Sequence, residues 1–138
     1  MLFVIRDLRV LILVSCCCVY STDLALNRLK VCLNADNIIY DVVWFSGAYE
    51  LGWLLNVNAV RYCACVVLGF APKRANEHSA HVVACVYNTI SNCPVVDAIQ
   101  SLDCVEQAWW KAFSLNANAL IVSLKSLLGA NVGVIVRC

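Results

Sequence analysis

The residues able to do chemistry fall into three groups: a cationic cluster ahead of an apolar run, one aspartate, and ten cysteines. The cluster reads Pro72-Lys73-Arg74-Ala75-Asn76-Glu77-His78-Ser79-Ala80-His81. Pro72 ends an apolar run over residues 64–70, Asn76 suits a helix N-cap, and Glu77 suits a first helical turn. Two cations just ahead of a helix start are a natural place to hold a phosphate, so Lys73, Arg74 and Asn76 are candidate phosphate-binding residues. A solvated turn with ordinary surface charges accounts for the same residues and is preferred on them alone. The cysteines include no Cys-x-x-Cys pair, the spacing of zinc ribbons and redox dithiols. Most lie in apolar runs, where cysteine behaves as a small hydrophobe. Zinc held by Cys63, Cys65, His78 and His81 is one arrangement. A secreted disulfide framework is a better one, because the count is even and the chain small.

Composition limits what these groups can belong to. At 138 residues the chain has room for one domain with a real core. It is 62% hydrophobic and 14% charged, which excludes a disordered chain and favours burial or a membrane. A net charge of +1 supplies no global field, so nucleic-acid binding would rest on a local patch. Residues 1–20 carry Arg6, Arg9 and an apolar stretch, as a signal peptide does. Asp7 among the cations and the lack of a small-x-small cleavage site argue against that, which favours an intracellular location. The uncharged run over residues 10–22 is shorter than the roughly 20 residues of a membrane span. The competing reading is a strand pair, residues 2–5 and 10–14, around a polar turn.

Positioning elements follow from periodicity. Residues 29–33 alternate as a strand does, with Leu29, Val31 and Leu33 on one face. Asn34-Ala35-Asp36-Asn37 then opens a helix over residues 38–45. Residues 50–60 have helical spacing at Leu51, Leu54, Leu55 and Asn58. Residues 61–70 read as a strand, and the cationic cluster opens the next helix. Residues 95–112 read as a helix ending at Trp109-Trp110, whose adjacent rings cannot share one narrow face. Residues 113–122 and 132–136 read as strands. The order strand, strand, strand, helix, helix, strand, helix points to an α/β or α+β domain.

Read in order, several segments resemble the RNase H-like domain of plant retrotransposon-type reverse transcriptases. Phe3-Val4-Ile5-Arg6-Asp7 is similar to the family's second strand, and residues 10–16 to its third, with Val10 where the family has a turn glycine. Residues 23–31 followed by Asn34-Ala35-Asp36-Asn37-Ile38-Ile39 resemble the fourth strand and its acidic end. Glu50-Leu51-Gly52-Trp53-Leu54-Leu55 resembles the helix before the last strand. Residues 70–84 resemble the closing strand and helix, with one extra residue between Asn76 and Ala80. Leu115-Asn116-Ala117-Asn118-Ala119 and Gly133-Val134-Ile135-Val136-Arg137-Cys138 resemble the first and second strands, as in a rearranged or circularly permuted chain.

The resemblance implies an α/β fold with a mixed sheet and flanking helices, incomplete or permuted. Residues 1–92 would be the C-terminal type of portion, 93–112 a linker or helix, and 113–138 the first- and second-strand portion. It implies metal-dependent hydrolysis of the RNA strand of an RNA–DNA hybrid, with Mg2+ or Mn2+ held by clustered carboxylates. Asp36 matches the fourth-strand aspartate and is the candidate metal ligand. His81 matches the position near the last helix, and a surface histidine paired with Glu77 explains it equally well. Asn118 replaces the first-strand aspartate, and the helix that carries the glutamate is missing. The expectation is therefore a degenerate domain with residual hybrid binding and weak or absent ribonuclease activity. The alternative is a small secreted or membrane-associated cysteine-rich protein.

Overall fold

The structure, a computed structural model, describes residues 9–58, 61–72, 93–102 and 117–136. The first element, β1 (Arg9–Ser15), has a continuous apolar run, Val10 to Val14, rather than an alternating one. Such a run belongs to a strand covered on both faces. All five side chains have no solvent exposure. The strands β2 (Ile39–Phe45), β3 (Ala64–Pro72) and β4 (Val95–Leu102) join β1 in the order β2-β1-β3-β4. Every pairing among them is parallel, with Arg9 opposite Ile39, Val10 opposite Ala64 and Cys65 opposite Val95.

Helices α1 (Val19–Ala35), α2 (Ala48–Asn58) and α3 (Ala117–Val136) complete the described chain. On one face of the sheet Val10, Ile12, Val14, Val66, Leu68 and Phe70 meet Ala25, Leu26, Leu29 and Leu33 of α1 and Ile121 and Leu124 of α3. On the other, Leu11, Leu13, Phe45 and Val67 meet Leu51 and Leu55 of α2. The result is a three-layer α/β domain, and its helices hide both faces of the central strands.

The α/β class read from the sequence holds, while several elements differ from expectation. Residues 29–33 belong to α1, because Thr22, Ala25, Leu26, Leu29 and Leu33 form one buried helical stripe. Val31, assigned with Leu29 and Leu33 to one strand face, is 68% exposed. Residues 39–45 form a strand rather than a helix. Asn37, at φ 57°, turns the chain out of α1, and the residues after it are β-branched and aromatic. Residues 95–102 are a strand, so the segment expected as a linker or helix supplies a sheet edge. Residues 117–122 and 132–136 are helical and sit in α3. Leu29–Leu33 and Ala117–Ala119 are therefore not strands of one sheet. They meet as helices, with the Cys32 thiol 3.6 Å from Asn118 Oδ1. The expected strand over residues 2–5 and the helix after Asn76 lie outside the described residues.

Candidate functional site

The strand order fixes one special place. From β1 the chain passes through α1 to β2 on one side, then through α2 to β3 on the other side of β1. The two connections lie on opposite sheet faces, and the strand order reverses at β1, with β2 added on one side and β3 on the other. In open parallel sheets, ligands bind outside the carboxyl ends of the strands beside such a reversal. Ser15 ends β1 there, and Cys16, Cys17 and Cys18 turn the chain into α1.

The turn is held at several points. The Cys16 amide donates to the Phe45 carbonyl at 2.9 Å, and the Cys17 amide to Ser15 Oγ at 3.2 Å. Thr22, fully buried, donates from Oγ1 to the Cys17 carbonyl at 2.9 Å. Cys18 is the N-cap of α1 in the left-handed region, φ 55°, and makes no side-chain cap. That conformation disfavours a residue with a Cβ by about 1–2 kcal/mol. It sets the Cys17 and Cys18 sulfurs 3.9 Å apart. Burial and then the neighbouring Cys17 push the Cys18 thiol up to about 11. The first turn of α1 carries no acidic residue. Beside this turn, a Cβ added to Gly69 of β3 would lie 2.5 Å from Ser15 Cβ, so the absence of a side chain lets β1 and β3 approach.

A second polar cluster stands in the amino half of the sheet. Arg9 Nη1 lies 3.2 Å from Asp41 Oδ2, and the Tyr62 hydroxyl donates to the same oxygen at 2.8 Å. The Tyr62 hydrogen bond, followed by Arg9, holds the Asp41 carboxyl below its usual range. Burial, followed by Asp41, raises the Tyr62 phenol. This cluster ties β2 to β1 and to the segment entering β3, a structural task. Cys65 and Cys93, both buried, have sulfurs 3.7 Å apart at the start of β3 and β4. Contact with Cys93 and then burial push the Cys65 thiol strongly upward, so it remains a protonated core group.

Of the candidate catalytic and phosphate-binding residues, Asp36 lies among the described residues. It caps the carboxyl end of α1, at the amino edge of the sheet, and Oδ1 is 3.1 Å from Lys125 Nζ of α3. Lys73, Arg74, Asn76, His78 and His81 lie outside the described residues. Magnesium or manganese needs several oxygen donors around one point. Among the described residues no three histidines, cysteines, aspartates or glutamates gather so. Asp36 with a lysine on its carboxylate does not fit such an ion. For zinc, Cys63 and Cys65 are buried in the sheet, and Cys65 faces Cys93. What sequence reading missed is the Cys16-Cys17-Cys18 turn, whose three consecutive thiols ending an apolar strand were the available signal. Among the described residues no helix is long and apolar enough to cross a membrane.

The parallel sheet with helices on both faces defines the chain as an open, doubly wound α/β domain. No family model and no curated protein matches it. Among solved structures it is similar to a split gene transketolase described as an inactive β4 tetramer, with 22% identity and a TM-score of 0.58. The match covers 91% of this chain and 40% of that one, so this chain spans well under half of its length. At that identity the likeness is one of fold.

Proposed function

We propose that the chain is a ligand-binding α/β module that takes a phosphate-bearing ligand at the carboxyl edge between β1 and β3. The observation that carries the reading is the reversal of strand order at β1, between β2 and β3. Two further features support it. The amino end of α1 opens on this edge with no acid in its first turn, which leaves a partial positive charge for an anion. In sequence, β3 ends at Pro72 and is followed at once by Lys73 and Arg74, with Asn76 close behind. Those three remain the proposed phosphate-binding residues. Metal-dependent cleavage of a hybrid draws no support from the paired, amino-edge position of Asp36.

The test is calorimetric titration of the full chain with inorganic phosphate, mononucleotides, sugar phosphates and an RNA–DNA hybrid, at low and raised salt. The expected result is saturable, salt-sensitive binding of a small phosphorylated compound, weakened by Lys73→Ala and Arg74→Ala. Absence of saturation by any of them would remove the reading. Saturation by the hybrid alone would replace it with nucleic-acid binding.

A further inference from the structure

We propose that Cys17 and Cys18 form a two-thiol chelate for a thiophilic ion of low coordination number, of the copper(I) class. The geometry points to this pair among the described cysteines for three reasons. The sulfurs lie 3.9 Å apart on successive residues, brought together by the left-handed turn at Cys18. Two sulfurs sharing an ion at metal–sulfur distances of about 2.3 Å are separated by about 3.8 Å at a tetrahedral angle and about 4.0 Å at a trigonal one. The pair therefore accepts an ion with little movement. Second, Cys17 is exposed and Cys18 half-buried, so an ion can reach them, whereas Cys65 and Cys93 at similar separation are sealed in the core. Third, the backbone of the pair is fixed from three sides, by Ser15 Oγ, by Thr22 Oγ1, and by the Cys18 carbonyl accepting the Thr22 amide at 2.9 Å.

The donor set also selects the ion. No third ligand from the described residues converges here, which disfavours zinc and its four-ligand sites. Soft thiolates favour copper(I), which accepts two or three sulfurs. A third position stays open to a small thiol from solution. Uptake replaces the two S–H protons by metal–sulfur bonds and releases both protons, with no change of oxidation state.

The experiment is anaerobic titration of the reduced full chain with copper(I) delivered from a chromogenic bis-chelate complex. Wild type is compared with Cys17→Ser, Cys18→Ser, Cys32→Ser and the Lys73→Ala/Arg74→Ala double variant. Loss of one arm of a chelate is expected to weaken the tightest equivalent roughly 100-fold in Cys17→Ser and in Cys18→Ser. Cys32→Ser and the double variant are expected to bind as wild type does, which separates this site from the phosphate reading. Wild-type affinity in either Cys17→Ser or Cys18→Ser overturns the proposal, as does an equal loss in Cys32→Ser. Circular dichroism of each variant guards against misfolding. A second readout needs no substitution: a trivalent arylarsenoxide condenses with two thiols and releases water, and peptide mapping should find it bridging Cys17 and Cys18. An adduct that leaves both unmodified counts against the site.

Discussion

Gly69→Ala tests how β1 and β3 meet beside the thiol turn. The added Cβ would lie 2.5 Å from Ser15 Cβ, with Ser15 N and Oγ each at 3.5 Å. Because a Cβ is fixed by its backbone, no rotamer of Ser15 relieves the clash, and the strands must part by about 1 Å for an ordinary contact. Overpacking of this kind costs about 1–3 kcal/mol, and the lower backbone entropy of alanine in the unfolded chain returns about 0.5–1. The net expectation is destabilisation by about 1–2 kcal/mol, a fall in Tm of several degrees for a domain of this size. Ser15→Gly removes the opposing Cβ, at the cost of the hydrogen bond that Ser15 Oγ accepts from the Cys17 amide. In that background Gly69→Ala should be close to neutral, giving a coupling energy of about 1 kcal/mol or more. Gly47→Ala, where an added Cβ meets nothing within 4 Å, is the control. The assay is urea unfolding of the four members of the cycle, followed by circular dichroism. A neutral Gly69→Ala in the native background, or equal effects in both backgrounds, would refute the close approach.

Other outcomes follow from single contacts. Asp41→Asn should destabilise by about 0.5–1 kcal/mol, a modest value because the Arg9 and Asp41 side chains are 41% and 39% exposed. The lowered Asp41 carboxyl contributes stability above its unfolded pKa of about 4 and loses it as pH falls through the folded value. The raised Tyr62 phenol contributes below about 10 and loses it as pH rises, so unfolding free energy should fall at both ends of that window and fall less in Asp41→Asn. Leu26→Ala, which empties a site 1% exposed between α1 and the sheet, should cost about 2–5 kcal/mol in denaturant unfolding. Thr22→Val keeps the shape but leaves the Cys17 carbonyl without its Oγ1 donor, costing about 1–2 kcal/mol and weakening copper(I) uptake in the same titration.

The sequence showed its class more clearly than its elements. Residues 10–14 and 64–70 are apolar throughout, and both proved to be central strands covered on two faces. Residues 50–58 announced α2 by spacing. The failures share one cause. Short windows such as Leu29-Val31-Leu33 fit period two locally, and only the longer stripe from Thr22 to Leu33 shows period 3.6. Residues 39–45 were assigned to a helix opened by Asn34 to Asn37, although those residues close one. For the site, Asp36 stood out by matching the acidic end of a family's fourth strand, while its partner Lys125 is far away in sequence and invisible to motif reading. The Cys17–Cys18 adjacency was legible, but the left-handed conformation of Cys18 that sets the sulfurs 3.9 Å apart was not.

The two edges of the sheet divide the work by chemistry. Toward the amino end, Asp36 with Lys125 and Asp41 with Arg9 and Tyr62 neutralise their charges in pairs that join helix to helix and strand to strand. A carboxylate already neutralised this way is a poor ligand for a hard cation, since taking up the ion first requires breaking the pair. At the carboxyl end, the turn after β1 carries thiols, and the first-turn amides of α1 open there with no acidic residue beside them. Amide donors favour anions and thiols favour soft ions. A ligand competing for this edge is thus expected to be an anion or a thiophile, and magnesium should neither bind there nor displace either one. Magnesium added to the phosphate and copper(I) titrations is the direct check, with competition at either site counting against this division.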